Sequence, residues 1–593
     1  MKFYKVVIAA FIGTLIALLI NFFVKIGVIT SMISSFSKDT ETATVVKPNS
    51  VLYMKLNYDI PDRTTDNPFG SIDFNTMETI ETTGLNEILR NIEHAKTDPN
   101  IKGIYLDLSS IPTSTATLQE LRSKLAEFKE SGKFIACYSE AYSQSAYYVA
   151  SVADKIWLNP EGVLDLHGMA SQVMFYKHLF DKLDVEMQIV RGPNNRFKSA
   201  VEPYFLDKMS EANREQMEKL LGTVWGQILQ SISQSRNISV EQLNQIADNL
   251  ELMTDAKKAL SYGLVDQLYY KDQVLAELKN LTGSKDKVNA VNNANYAKSY
   301  KDKNPSKNEV AVIYASGQIF DGKGDEEQNI YSENLSKTIR KAREDKNVKA
   351  VVLRVNSPGG SAVASAIIGR ELDLTQEVKP VIVSMGNYAA SGGYWISAKG
   401  DYIFADPTTL TGSIGVFGTF PNMKGFLNDK IGLTFDVVKT NENADFGSVT
   451  EPLTPFQYAK LQENVVKTYD QFTQRVAEGR GLRQTYVDSI GQGRVWAGAD
   501  AIELGLVDQL GDMEDAIAYA AVKANLGDDY KVTEFPKGKD FVTRIMESMN
   551  KTNELDAAMR QKLGVYYNYF KGLENLQKNT GIQARMPFDL VLE

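Results

Sequence analysis

A single cysteine, Cys137, excludes an intrachain disulfide and any cysteine-based metal cluster. Its setting, Lys133-Phe-Ile-Ala-Cys-Tyr138, reads as a buried strand, which assigns the thiol to the core rather than to catalysis. Histidine is almost as scarce. Only His94, His167 and His178 occur, and none falls in a His-Glu-x-x-His or comparable spacing. Metal-assisted hydrolysis is therefore unsupported, and no metal or other cofactor is expected. Long blocks of one charge are also missing. With a net charge of −9 and a pI of about 5.3, nucleic acid is excluded as the main partner.

Against these absences stands one long apolar run. Val6 to Val24 is almost wholly hydrophobic, with Lys2 and Lys5 before it and Lys25 after it. That length suits a helix crossing a hydrocarbon core. A cleaved signal peptide would begin similarly, but Thr30-Ser-Met-Ile-Ser-Ser-Phe36 offers no Ala-x-Ala site. The expectation is an anchor over residues 1–40, with a short stub inside and the body of the chain on the extracytoplasmic side. At 593 residues, that body is too long for one compact core.

An internal repeat organises it. Gly263-Leu-Val-Asp-Gln-Leu268 recurs unchanged as Gly505-Leu-Val-Asp-Gln-Leu510. Upstream, Asp98-Pro-Asn-Ile-Lys-Gly-Ile-Tyr-Leu-Asp-Leu108 matches Asp345-Lys-Asn-Val-Lys-Ala-Val-Val-Leu-Arg-Val355, and Ala153-Asp-Lys-Ile-Trp-Leu-Asn-Pro160 matches Gly400-Asp-Tyr-Ile-Phe-Ala-Asp-Pro407. Short apolar strands alternating with helical stretches predict βαβ units and a largely parallel sheet in each copy. Residues 284–308, rich in Asn, Lys, Ser and Asp, read as a linker. The expected plan is thus an anchor (1–40), a first α/β domain (41–283), the linker and a second α/β domain (309–593). The stretch 553–577 reads as helical.

Differences between the copies carry the chemistry. The second has Asn356-Ser-Pro-Gly-Gly-Ser361 after one strand and Tyr388-Ala-Ala-Ser-Gly-Gly-Tyr394 after the next. A Pro-Gly-Gly turn frees backbone N–H groups to face a substrate oxygen. A serine among small residues at a strand-to-helix turn can stand exposed while the next N–H helps bind an oxyanion, which makes Ser391 the candidate nucleophile. The first copy has Ser110-Ile-Pro-Thr113 and Ser143-Gln-Ser-Ala-Tyr-Tyr148 at the same places, so Ser145 reads as structural. All three histidines lie in the first copy. This excludes a local Ser–His–Asp triad while leaving one assembled between domains open.

A lysine serves as base if burial depresses its pKa from about 10.4. Asn195-Arg-Phe-Lys-Ser-Ala-Val-Glu-Pro203 aligns with Ala444-Asp-Phe-Gly-Ser-Val-Thr-Glu-Pro452, and the shared Phe, Ser and Glu-Pro set Lys198 against Gly447. One copy holds the lysine and the other the serine with its glycine turns, which points to a composite site.

At these motifs the chain resembles the signal peptide peptidase A group of the S49 serine peptidases, in its long, duplicated form. The resemblance implies Lys198 as base, Ser391 as nucleophile, and Ser413 of Thr411-Gly-Ser-Ile-Gly-Val416 as the group orienting the amine. It also implies the N–H groups of Gly360 and Gly392 as oxyanion donors. Two tandem ClpP/crotonase-like domains are the implied fold, and membrane-bound cleavage of spent signal peptides and other hydrophobic peptides the implied function. Assembly into homo-oligomers at a bacterial inner membrane, body on the periplasmic side, completes the expectation. A crotonase-type acyl-CoA enzyme and a non-catalytic membrane scaffold are the rival readings. Whether Lys198 meets Ser391 within one chain or across a subunit boundary is open at this level.

Overall fold

The computed structural model describes residues 44–64, 83–300, 304–326, 329–536 and 581–586, with the backbone of 72–73 and 78–79. The expected anchor and the helical stretch at 553–577 lie outside the described residues. Among those residues, no helix is long and apolar enough to cross a membrane.

The first half supplies β1 (Ser50–Met54), β2 (Ile101–Asp107), β3 (Phe134–Ser139) and β4 (Lys155–Leu158). Then come β5 (Glu186–Arg191), β6 (Gln267–Leu268) and β7 (Asn289–Asn292). Six of these form one parallel sheet in the order β6-β4-β3-β2-β1-β7; β5 leaves it. The central strands are buried on both faces, as a parallel sheet with helices on each side requires. Helix α1 (Leu85–Thr97) lays Leu85, Ile88, Leu89, Ile92 and Ala95 on that sheet, one apolar stripe at three- and four-residue spacing. Helix α2 (Thr115–Lys129) and the short α3 (Gln144–Ala150) pack beside it.

In the second half the strands are β8 (Glu309–Ser316), β9 (Gln318–Phe320), β10 (Asn329–Tyr331), β11 (Val348–Ser357) and β12 (Gly359–Ser361). They continue with β13 (Val381–Ala390), β14 (Tyr402–Ala405), β15 (Leu410–Gly412) and β16 (Phe417–Asn422). Last are β17 (Val495–Ala497), β18 (Gln509–Leu510), β19 (Lys531–Phe535) and β20 (Gly581–Arg585). The path β18-β14-β13-β11-β8-β19 repeats the strand order of the first sheet. Beyond this common frame β13 is four residues longer than β3, and its extra length, Tyr388–Ala390, pairs with β15, which in turn pairs antiparallel with β17.

A third sheet, β10-β9-β12-β20-β16-β5, joins the parts. Strand β5 comes from the first half yet pairs antiparallel along the whole of β16 in the second. Helix α4 (Glu211–Arg236), capped by Ser210, follows the same crossing; its Gln216 accepts from the Val495 N–H at 2.9 Å. Between the halves the buried Arg354 guanidinium is bonded by Asp62 and Glu120, both of the first half.

One sequence expectation needs correcting. Residues 284–308 are not free linker throughout. Asn289–Asn292 forms β7 at the edge of the first sheet, and Asn91 Nδ2 donates to the Asn293 carbonyl at 3.0 Å. An edge strand needs only one buried face, so its polar composition gave no strand signal.

Candidate active site

Strand β13 runs directly into α5 (Gly392–Ser397), and Ser391 is the hinge between them. Its backbone has φ 54° and ψ −113°, an unfavourable conformation for a residue with a Cβ. Neighbouring groups hold it there: the Ser391 N–H donates to the Gly412 carbonyl at 2.8 Å, and its own carbonyl accepts from Trp395 at 2.8 Å. The hydroxyl is thereby fixed at the end of the strand and is wholly buried.

Lys198 arrives from the other half. After β5 the chain docks onto the loop 491–494, where the Phe197 N–H donates to the Gln492 carbonyl at 2.9 Å. A Cβ at Gly493 would lie 2.6 Å from Lys198 Cα, so this approach requires glycine. Gln216 and Glu202 brace the segment. Gln216 Nε2 donates to Ser199 Oγ at 3.3 Å, and the Glu202 carboxylate accepts from Ser210 Oγ at 2.6 Å and Asn213 Nδ2 at 3.0 Å. Lys198 Nζ then stands 2.9 Å from Ser391 Oγ, 2.9 Å from Ser413 Oγ and 3.0 Å from the Ser413 carbonyl oxygen.

Lys198 is 1% exposed, and burial pushes its pKa well below the ordinary lysine value. Desolvation is the sole cause, with no carboxylate acting to restore the charge. A neutral amine has two N–H bonds and one lone pair. Ser413 offers its carbonyl and its hydroxyl to the amine, and Ser391 Oγ is the third group within hydrogen-bond distance of it.

Across from the serine, the turn Pro358-Gly359-Gly360 closes on the start of α5. Gly359 has φ +100°, and a Cβ there would lie 2.7 Å from the Gly392 amide nitrogen and 3.0 Å from the Ala390 carbonyl. Only glycine lets these two backbones meet, and their meeting sets Gly359 against Gly392, the residue after Ser391.

Of the expected set, Lys198 meets Ser391 and Ser413 directly, and Gly392 follows Ser391 in the chain. The structure places Lys198 and Ser391 together within one chain, 193 residues apart. Ser145 sits elsewhere, its hydroxyl 3.0 Å from Ser143 Oγ and accepting from the Ile111 N–H at 3.4 Å. Among the described residues no amine bonds it. His94 stacks on Tyr300 with ring centroids 3.7 Å apart, while His167 pairs with Asp165 at 2.6 Å. Cys137 is buried and its thiol is pushed up to about 12, which suits a core residue. Among the described residues no cluster of His, Cys, Asp and Glu would hold a metal ion.

Sequence reasoning missed Gly493, Gln216 and Glu202, and also β20, whose strand passes between β12 and β16 beside the site. Glu202 had left a trace, since its Glu-Pro pair recurs in both copies. Gly493 belongs to Gly491-Gln-Gly493, a turn signal in which nothing names the lysine.

Comparison with known proteins bears on this locus. The model of peptidase family S49 matches the chain twice, at residues 127–285 and 373–527. Protease 4 of Salmonella typhi is 41% identical over 460 residues, 76% of this chain and 74% of that protein. Protease 4 of Haemophilus influenzae is 38% identical over 462 residues, with the same shares. A putative signal peptide peptidase SppA of Enterococcus faecium is 37% identical over 219 residues, 36% of this chain and 62% of that protein.

Proposed function

The chain belongs to peptidase family S49 and is a serine peptidase; from that premise we propose that Ser391 is its nucleophile and a neutral Lys198 its general base. In this reading Ser391 Oγ attacks a peptide carbonyl as its proton passes to Lys198 Nζ. The N–H groups of Gly360 and Gly392 hold the oxyanion. The lysine then protonates the leaving amine, and water, deprotonated by the same lysine, releases the acyl group. Ser413 keeps the lone pair aimed at Oγ. The 2.9 Å approach of a fully buried, carboxylate-free amine to the serine at a strained turn carries the proposal.

Peptides are the substrates. Among them we propose cleaved signal peptides and other hydrophobic segments, a reading supported by the name of the Enterococcus relative. An anchor within residues 1–40 would hold the body at the extracytoplasmic face of a bacterial inner membrane. Each half is read as a ClpP/crotonase-type unit of one duplicated ancestor, supported by the repeated strand order.

Assembly into homo-oligomers is part of the same reading. In the repeat Asp181-Lys-Leu183 matches Asp429-Lys-Ile431, which makes residues 434–439 the counterpart of β5. Whereas β5 is paired, Phe435, Val437 and Val438 are exposed, Val438 at 98%. Residues 169–174, the counterpart of β16, form no strand either. A second copy offering one edge to the other would satisfy both.

Labelling with a small acylating phosphonate and mapping of the modified peptide tests the dyad. Modification at Ser391 that disappears in Lys198→Ala is expected; modification elsewhere, or indifference to Lys198, refutes it.

A further inference from the structure

Burial alone lowers the Lys198 pKa, so the walls that keep water from Nζ govern its reactivity. One residue meets those walls on two sides. Arg494 follows Gly493 in the loop that seats the lysine, and β17 begins at the next position. Its guanidinium carbon lies over two rings, 4.5 Å from the Phe197 centroid and 4.4 Å from that of Trp496. A cation at this range is attracted to each ring face. Phe197 directly precedes Lys198 and is buried, while the Trp496 indole N–H donates to the Ile490 carbonyl at 3.0 Å. Glu215 on α4 aligns the cation from outside. Its Oε1 accepts from Arg494 Nη1 at 2.9 Å and its Oε2 from Arg196 Nη2 at 3.2 Å. Arg196 in turn lies 5.0 Å from the Phe197 centroid. The ring beside the lysine is thus held by two cations that one carboxylate gathers.

The main chain of the same residue reaches the amine by a second route. The Arg494 carbonyl accepts from the Ser413 N–H at 2.7 Å. Ser413 has φ 48°, a conformation uncommon for a residue with a Cβ, and it needs such a restraint. Its hydroxyl and carbonyl are the groups 2.9 and 3.0 Å from Lys198 Nζ. Arg494 is itself fixed on both sides, its N–H donating to the Gly491 carbonyl and the Val495 N–H to Gln216, each at 2.9 Å. One residue therefore touches the arm that carries the lysine and the serine that receives its amine.

We propose that Arg494 is a positioning residue for the general base, its guanidinium stacked between Phe197 and Trp496 to lock the lysine-bearing arm over Ser391 and keep water out, an inference that rests on the dyad proposed above. The other charged groups around the arm are engaged elsewhere. Glu202 bonds Ser210 and Asn213, Asp488 bonds Asn194 and Tyr469, and Arg196 and Glu215 bond each other. None of them bonds the amine. With the stack lost, Phe197 is free to move, water reaches Nζ, and the lysine regains its proton toward the ordinary lysine value. Planarity matters as much as charge, because an ammonium in this place cannot lie flat against two rings while donating to Glu215.

The test follows phosphonate labelling of Ser391, and kcat and KM for an internally quenched apolar peptide, from acid to alkaline pH in the full chain. Wild type should label at Ser391 and Lys198→Ala should not. Arg494→Ala is expected to lose about tenfold in kcat at neutral pH with KM nearly unchanged, and to recover as pH rises. Its rising limb should lie about one pH unit to the alkaline side of wild type. Arg494→Lys, which keeps the charge, should shift the same way by less. A loss of equal size at every pH, a loss confined to KM, or no loss at all overturns the inference and spares the dyad. If circular dichroism shows that Arg494→Ala does not fold, Arg494→Lys decides by the same criteria. Wild-type label away from Ser391, or label indifferent to Lys198→Ala, fails the dyad itself and the inference with it.

Discussion

The two halves of this molecule run their strands in the same order, share Gly-Leu-Val-Asp-Gln-Leu word for word, and yet treat the end of the third strand differently. In the first half β3 stops at Ser139, and the helix that follows begins with bulky neighbours around a half-buried Ser145. In the second, β13 runs on to Ala390, gains β15 as a partner, and ends at a serine in a strained turn bounded by glycine. The arm after the fourth strand diverges in the opposite sense. The first half's arm is ordered by β16 and delivers a lysine; the second half's leaves residues 434–439 exposed and has Gly447 in the lysine's place. The two frames thus differ at the segments that bring Lys198 and Ser391 together. Strand order is the same in both halves, while the turns around Ser391 and the arm carrying Lys198 differ.

The sharpest way to break this comparison is to remove the part each half contributes. Ser391→Ala and Lys198→Met should each lower peptide hydrolysis by about 10³-fold or more, and the double variant should lose little beyond either alone, because the pair acts as a unit. A kinetic double-mutant cycle reads this directly. Gly493→Ala should cost less, about 10²-fold in kcat, since its methyl group displaces the lysine rather than deleting it; labelling of Ser391 should slow in step.

Lys198 also links the comparison to pH. Burial holds its pKa well below the ordinary lysine value in the fold, whereas in the unfolded chain it binds a proton up to about pH 10.4. Between its depressed folded pKa and that value the unfolded state holds one more proton, so stability rises with pH across the window. Hydrolysis should rise over the lower edge of the same window, as the amine loses its proton. Lys198→Met should raise the melting temperature at neutral pH and flatten the rise, which thermal melts at several pH values will show. A stability profile unchanged by the substitution would contradict a buried neutral amine.

Smallest of all should be Ser145→Ala. Its two hydrogen bonds are local, so stability should change by about 1 kcal/mol or less and hydrolysis by under about twofold.

Much of this was legible in the sequence because the repeat aligned it. Phe197, Ser199 and Glu202-Pro203 fixed the register that singled out Lys198, and the glycine turns singled out Ser391. Other parts left no local trace. Strand β7 is polar because it sits at a sheet edge. The pairing of β5 with β16 joins residues more than 200 positions apart, and neither strand names its partner. Strand β20 is five residues long and reads as tail until β12 and β16 flank it.

The crossing arm also sets the timing of activity. A chain emerging N-terminus first exposes Lys198 long before Ser391 has been made, and Gln492 and Gly493, which seat the lysine, follow later still. Until nearly the whole second half has been made, Lys198 lacks both Ser391 and the loop that buries it. On the proposed dyad, activity waits on the order in which these parts are made.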